Sequence, residues 1–217
     1  SLNHEKGSWN KLADLKSSTE ANSGPIKALI DKGILEENYQ EISRELYPLK
    51  ESLSEKKQLS KAQNTAYLEI EKSLEEKPVV LFEGVTSSGK TEVYIDLIEK
   101  QLDQGKQVLY LVPEISLTPQ VVDRLISRFG DQVLVYHSKF SIHERAEVWQ
   151  TVLSSKSKGQ IIVGARSAIF LPFQDLGLVI VDEEHENSYK QFDPAPRYQA
   201  RDSVIYLAKL LEAKVLL

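Results

Sequence analysis

A chain of 217 residues with 41% hydrophobic and 27% charged residues has the make-up of one ordinary domain with room for a small appendage. That composition excludes a disordered chain, a collagen-like repeat and a disulfide-stapled miniprotein, and zero Cys also removes thiolate metal sites. With 27 Lys+Arg against 32 Asp+Glu the formal charge is −5, so any nucleic-acid contact must come from local patches rather than a broad basic surface.

Residues 1–48 read differently from the rest. A short amphipathic stretch around Trp9, Leu12 and Leu15 precedes a polar cluster from Ser17 to Ser23. Gly24-Pro25 punctuates the chain, and Ile26, Leu29 and Ile30 then recur at helical spacing until Gly33. Ile34-Leu35 and Tyr39 to Ile42 suit a short hairpin. Helix, turn, helix, hairpin is the order of a winged-helix module that has lost its start; a small helical subdomain without nucleic-acid binding fits equally well. The charged stretch 49–58 has no core face and reads as a linker.

Residues 59–217 form the second part. Ser60 to Leu74 is a helix with a stripe of Ala62, Ala66, Ile70 and Leu74, and Ser60 with Gln63 makes a capping box. Strands are predicted at 79–82, 107–112, 133–136, 160–163, 178–181 and 214–217, with helices at 90–104, 119–129, 142–154 and 200–212 between them. Continuous apolar strands are covered on both faces. Their alternation with helices predicts an α/β fold: a parallel sheet with helices on both sides. No apolar run reaches the ~20 residues of a membrane helix, and no leader pattern is seen; with no Cys this fits a cytoplasmic protein. The chain also lacks Met and ends on the strand-like run Lys214-Val215-Leu216-Leu217, as expected of a piece of a longer protein.

Gly84-Val85-Thr86-Ser87-Ser88-Gly89-Lys90-Thr91 matches the phosphate-loop pattern without a gap, after an apolar strand and before an amphipathic helix. Glycines let successive N–H groups curl around phosphate oxygens, and the helix aims its positive end at the same anion. Lys90 would reach the β- and γ-phosphates of ATP, and the Thr91 hydroxyl would ligate Mg²⁺. Leu178 to Val181 then runs into Asp182-Glu183-Glu184-His185. Asp182 can join the Mg²⁺ shell and Glu183 can orient and deprotonate an attacking water. A lone His is usually a packed or capping residue, but the position of His185 directly after the carboxylates suits a γ-phosphate sensor that also touches the DNA-facing layer. Gln63 either only completes the capping box or also reads the adenine edge.

A longer series of stretches resembles one family. Residues 84–94, 112–120, 136–138, 164–170, 181–185, 188–191 and 197–202 are similar, in unbroken order, to the bacterial primosomal replication-restart helicases (primosomal protein N′) of helicase superfamily 2. The resemblance covers about residues 59 to 217 and implies a RecA-like P-loop NTPase lobe, the first motor lobe of an ATP-dependent 3′-to-5′ DNA helicase. It also implies single-stranded and forked DNA, primosomal proteins and single-stranded-DNA-binding protein as partners, and no membrane. Gln63 would then contact adenine, and 112–120 with 164–168 would line the DNA track, Arg166 and Ser167 lying near phosphates. The stretch from Tyr189 to Asp202 would couple DNA contact to hydrolysis. It interleaves Tyr189, Phe192 and Tyr198 with Lys190, Arg197 and Arg201, which suits base stacking plus phosphate contact; a surface loop packed on the next helix is the plainer alternative.

Ser87 departs from the family in standing where many members carry a third glycine. The family's second motor lobe, zinc-binding cysteines and N-terminal DNA-end-binding domain lie outside these residues, so zinc is expected only there and autonomous helicase activity is not expected of this stretch. Two other functions compete. A different P-loop enzyme, such as a small-molecule kinase, has no need of Glu183; a non-catalytic nucleotide- and DNA-binding module has no need of intact Lys90, Thr91, Asp182 and Glu183.

Overall fold

The computed structural model describes residues 23–35, 58–85, 88–113, 119–137, 140–154 and 160–217. The chain divides into two compact units, residues 1–44 and 45–217. In the first, helix α1 (Ser23–Asp31) buries Ile26. It ends as expected at Gly33, whose φ of +67° favours glycine. There the Ile34 amide donates to the Leu29 carbonyl and the Gly33 amide to Ile30, the paired hydrogen bonds of a Schellman stop. Ile34 and Leu35 make a bend and not a strand. The expected helix near Trp9 and the hairpin at 39–42 lie outside the described residues, as does most of the linker.

Among its described residues the second unit begins with α2 (Lys61–Glu76), capped by Ser60 and Gln63 in both directions of the box. It then alternates β1 (Val79–Val80), α3 (Lys90–Asp103), β2 (Gln107–Leu111), α4 (Pro119–Phe129), β3 (Val133–Tyr136), α5 (Ile142–Ser154), β4 (Ile161–Gly164) and β5 (Leu176–Val181). A two-stranded hairpin of β6 (Lys190–Gln191) and β7 (Tyr198–Gln199), α6 (Ala200–Leu210) and β8 (Lys214–Leu216) complete it. Six strands pair in parallel in the order β1-β8-β5-β2-β4-β3.

Alternating strand residues feed two cores. Val108 and Tyr110 of β2 and Leu178 and Ile180 of β5 pack with Ile70, Val93, Ile98 and Leu125 from α2, α3 and α4. Leu109, Leu111, Val179 and Val181 pack on the other face with Val148, Val152, Val204 and Ala208 from α5 and α6. Burial on both faces is why these strands read as unbroken apolar runs. Fully buried Gln107 is satisfied: its amide donates to the Val152 carbonyl at 3.1 Å and accepts from the Gln174 and Asp175 amides. Among the described residues no helix is long and apolar enough to cross a membrane.

Two features had no sequence signal: the β6–β7 hairpin and the 3₁₀ turns Arg166–Phe170 and Asn187–Tyr189. The first of these turns folds back on the end of β4 with no spare room. A Cβ on Gly164 would stand 2.6 Å from Ala168 Cβ and 2.8 Å from the Tyr136 carbonyl oxygen. Gly164→Ala should therefore cost about 1–3 kcal/mol through overpacking, read as a lower denaturant midpoint in urea unfolding.

Candidate functional site

All parallel strands direct their carboxyl ends to one edge of the sheet, where α/β proteins bind ligands. After β1 the backbone stays extended as far as Phe82, whose amide donates to the Leu217 carbonyl at 2.8 Å, and then turns into the loop. Gly89 takes φ +82°, ψ +27° as the cap of α3 with no side chain capping it, so the helix presents its first amides outward. Gln63 closes over this turn: its Nε2 donates to the Gly89 carbonyl at 3.2 Å while its Oε1 accepts from the Ser60 amide at 2.9 Å. A Cβ at Gly89 would run into the Gln63 amide, so position 89 requires glycine twice over. The Lys90 stem passes Gly84, where a Cβ would lie 3.3 Å from Lys90 Cδ. Thr91 sits half-buried in the first turn of α3. Gly84 and Ser88 are exposed, while Thr86 and Ser87 lie outside the described residues.

From the other half of the sheet, β5 delivers the acidic group. Lys90 Nζ stands 3.7 Å from Glu183 Oε1, which joins the two motifs across the strand ends. Glu183 has φ +50°, a left-handed conformation that costs a non-glycine residue on the order of 1 kcal/mol and clusters at functional sites. Burial pushes the Asp182 carboxyl above its ordinary range, against the opposing pull of a Tyr110 hydrogen bond and the Lys90 charge. Tyr110 donates to Asp182 Oδ2 at 3.0 Å. The His185 side chain is 69% exposed, its Nε2 3.6 Å from Glu183 Oε2. Glu184 turns away and pairs with Arg201 at 2.7 Å.

The coupling stretch differs from its expected form. Tyr189, expected among the base-stacking aromatics, is fully buried and stacks on nothing outside the core. Its hydroxyl lies 2.6 Å from the Asp182 carbonyl oxygen and 3.1 Å from that of Leu111, so its single proton is shared between two strand ends. Arg166, expected on DNA phosphates, donates through Nη1 to the carbonyls of Ser188 and Lys190 at 3.3 and 3.1 Å and so holds the turn that carries Tyr189. Arg201, expected to face DNA, is paired with Glu184 and with Asp202. Ser167 is half-buried beside Arg166.

The rest of the stretch keeps its aromatic and cationic character, with Phe192 exposed and Tyr198 half-buried. Lys190 Nζ stands 4.8 Å over the Phe192 ring, and Tyr198 meets Phe170 edge-on with centroids 5.1 Å apart. Arg197 is exposed between them in sequence. Gln191 ties the loop down by donating to the Pro194 and Pro196 carbonyls. Residues 114–118 and Ser138, expected along the DNA track and in the matching motifs, lie outside the described residues. Sequence reasoning missed Tyr94, Tyr110 and Phe170; the signal for the first two was a phenol inside an otherwise apolar helix face and strand, which must find an acceptor when buried.

The family model for DEAD/DEAH box helicases matches residues 60–205. The chain belongs to that family. More narrowly, it is 46% identical over 91% of its length to the replication restart protein PriA of Bacillus subtilis, and 41% identical over 95% to that of a Synechocystis strain. It spans about a quarter of the length of these curated relatives, 24% of each. Among solved structures, the DUF1998 helicase MrfA aligns over 88% of this chain and 28% of its own, at TM-score 0.44 and 18% identity.

The Tyr189 hydroxyl serves two carbonyls at the sheet edge, so Tyr189→Phe should cost about 1–1.5 kcal/mol in urea unfolding while the ring keeps its packing. A variant as stable as the parent would mean that water replaces the hydroxyl.

Proposed function

We propose that this chain is the ATP-binding first motor lobe of a 3′-to-5′ DNA helicase that acts in replication restart. In the intact protein it hydrolyses ATP to move along DNA in the cytoplasm, with residues 1–48 as the end of a winged-helix DNA-binding domain and 59–217 as the lobe. The 3.7 Å approach of Lys90 to Glu183 carries the reading, because it joins a phosphate-binding loop and a water-activating carboxylate in one site. The names of these relatives support the restart role, and the motif resemblance implies forked and single-stranded DNA, primosomal proteins and single-stranded-DNA-binding protein as partners.

The residues divide the work. The amides of the first turn of α3, with Gly84 and Ser88, cradle the phosphates, as do Thr86 and Ser87 by their place in the pattern. Lys90 exchanges Glu183 for the β- and γ-phosphates, leaving Glu183 to take the proton of the attacking water. Mg²⁺ fits this donor set: Thr91 and Asp182 supply two hard oxygens. Among the described residues no group of three or more His, Asp or Glu encloses a metal, so phosphate oxygens and water would supply the other ligands. Such a cation neutralises charge on the phosphates. His185, exposed beside Glu183, reports on the γ-phosphate. Gln63 keeps one amide hydrogen and one lone pair after its two contacts, enough to read adenine. Lys190, Phe192, Arg197 and Tyr198 meet the DNA, and the turn carrying Tyr189 passes its position to Asp182.

In the full-length protein, Glu183→Gln should keep nucleotide binding but lower turnover about 10²–10⁴-fold. Lys90→Ala should weaken binding itself. Nucleotide titrations and phosphate release separate the two, and parental turnover in Glu183→Gln would remove Glu183 from the chemistry. Arg197→Ala and Tyr198→Ala should lose DNA stimulation of the ATPase while basal hydrolysis persists. Equal loss of both rates would instead assign these residues to catalysis or folding.

A further inference from the structure

Asp182 is held from the core side by two phenols that hydrolysis itself does not call for. Tyr110 lies within β2, wholly buried, and Tyr94 lies on the inner face of α3; their rings meet edge-on with centroids 5.7 Å apart. Tyr110 donates to Asp182 Oδ2 at 3.0 Å, and the Tyr94 hydroxyl stands 3.5 Å from Oδ1. The two carboxylate oxygens are therefore unequal: Oδ2 is firmly engaged, whereas Oδ1 has a contact at the limit of hydrogen bonding.

We propose that Tyr110 is a positioning residue for the divalent cation that accompanies the nucleotide, fixing the Asp182 carboxylate by Oδ2 so that Oδ1 is the oxygen left for that cation. The inference rests on the nucleotide-site reading above. A carboxylate at a strand end has two free torsions, and without an anchor it would swing toward Lys90. Hydrogen bonds to the far oxygen of a metal-binding carboxylate hold its orientation, and removing such a partner costs metal affinity without touching the ligand itself. A phenol that served packing alone would lose nothing when its hydroxyl is deleted.

The experiment uses the full-length protein and a fluorescent ADP analogue, with binding measured in EDTA and across a Mg²⁺ titration. Tyr110→Phe should raise the Mg²⁺ concentration for half-maximal binding about 10-fold and leave binding in EDTA unchanged. Tyr94→Phe should leave that midpoint unchanged or lower it, because its 3.5 Å contact is to Oδ1 itself. In an Asp182→Asn background, Tyr110→Phe should add nothing further. A Mg²⁺ midpoint within about twofold of the parent, with EDTA binding intact, would overturn the proposal. Should Tyr110→Phe also lose binding in EDTA, as a folding defect would cause, Tyr94→Phe decides, and a raised midpoint there overturns the assignment of Oδ1 to the cation. If the parent itself shows no Mg²⁺-dependent binding of the nucleotide, the nucleotide-site reading fails and this inference falls with it.

Discussion

The parallel sheet is the constraint on which the rest depends. Because its six strands run the same way, the loop after β1 and the acidic turn after β5 emerge at one edge, and Lys90 meets Glu183 at 3.7 Å. A positive helix end, a lysine and two carboxylates then share a space that an antiparallel arrangement would have split between two edges. The burial that raises Asp182 comes from the same geometry: β5 sits inside the sheet, with apolar neighbours on both sides of its last residues.

A second consequence concerns communication. Tyr189 is a fully buried aromatic in a stretch whose loop from 192 to 197 is exposed, and its hydroxyl bridges the Asp182 and Leu111 carbonyls. Arg166, from the turn after β4, grips the backbone on either side of that tyrosine. The exposed aromatic and cationic residues are thus joined to the acidic strand end by a short covalent and hydrogen-bonded route, with one two-acceptor contact as its last link. Arg166 fits this role better than that of a free phosphate contact, since its guanidinium is already donating to two carbonyls.

How much of this was legible in the sequence follows from where the physics is local. The strands could be read because two-sided burial writes continuous apolar runs, and the start of α3 at Lys90 because the glycine, lysine and threonine spacing marks a strand-to-helix turn. The cap made by Ser60 and Gln63 was legible for the same reason, although not the reach of Gln63 to Gly89, which depends on how α2 lies beside α3. Two-residue strands and 3₁₀ turns carry no periodicity, so the hairpin and the turn at 166–170 left no trace. Tyr189 was misread because an aromatic among lysines and arginines looks solvent-facing; only the fold supplies the carbonyls that draw it inward. Tyr110 reads as plain core until Asp182 is seen above it.

The central claim is that the phosphate loop and the acidic strand end form one nucleotide site. A crystal structure of the full-length protein with Mg²⁺ and a non-hydrolysable ATP analogue tests it most directly. The account predicts phosphates on the amides that open α3, Lys90 turned from Glu183 to the terminal phosphates, and the cation between Thr91 and Asp182. A nucleotide bound elsewhere, or one bound with Lys90 still on Glu183 and the cation away from Asp182, would contradict it.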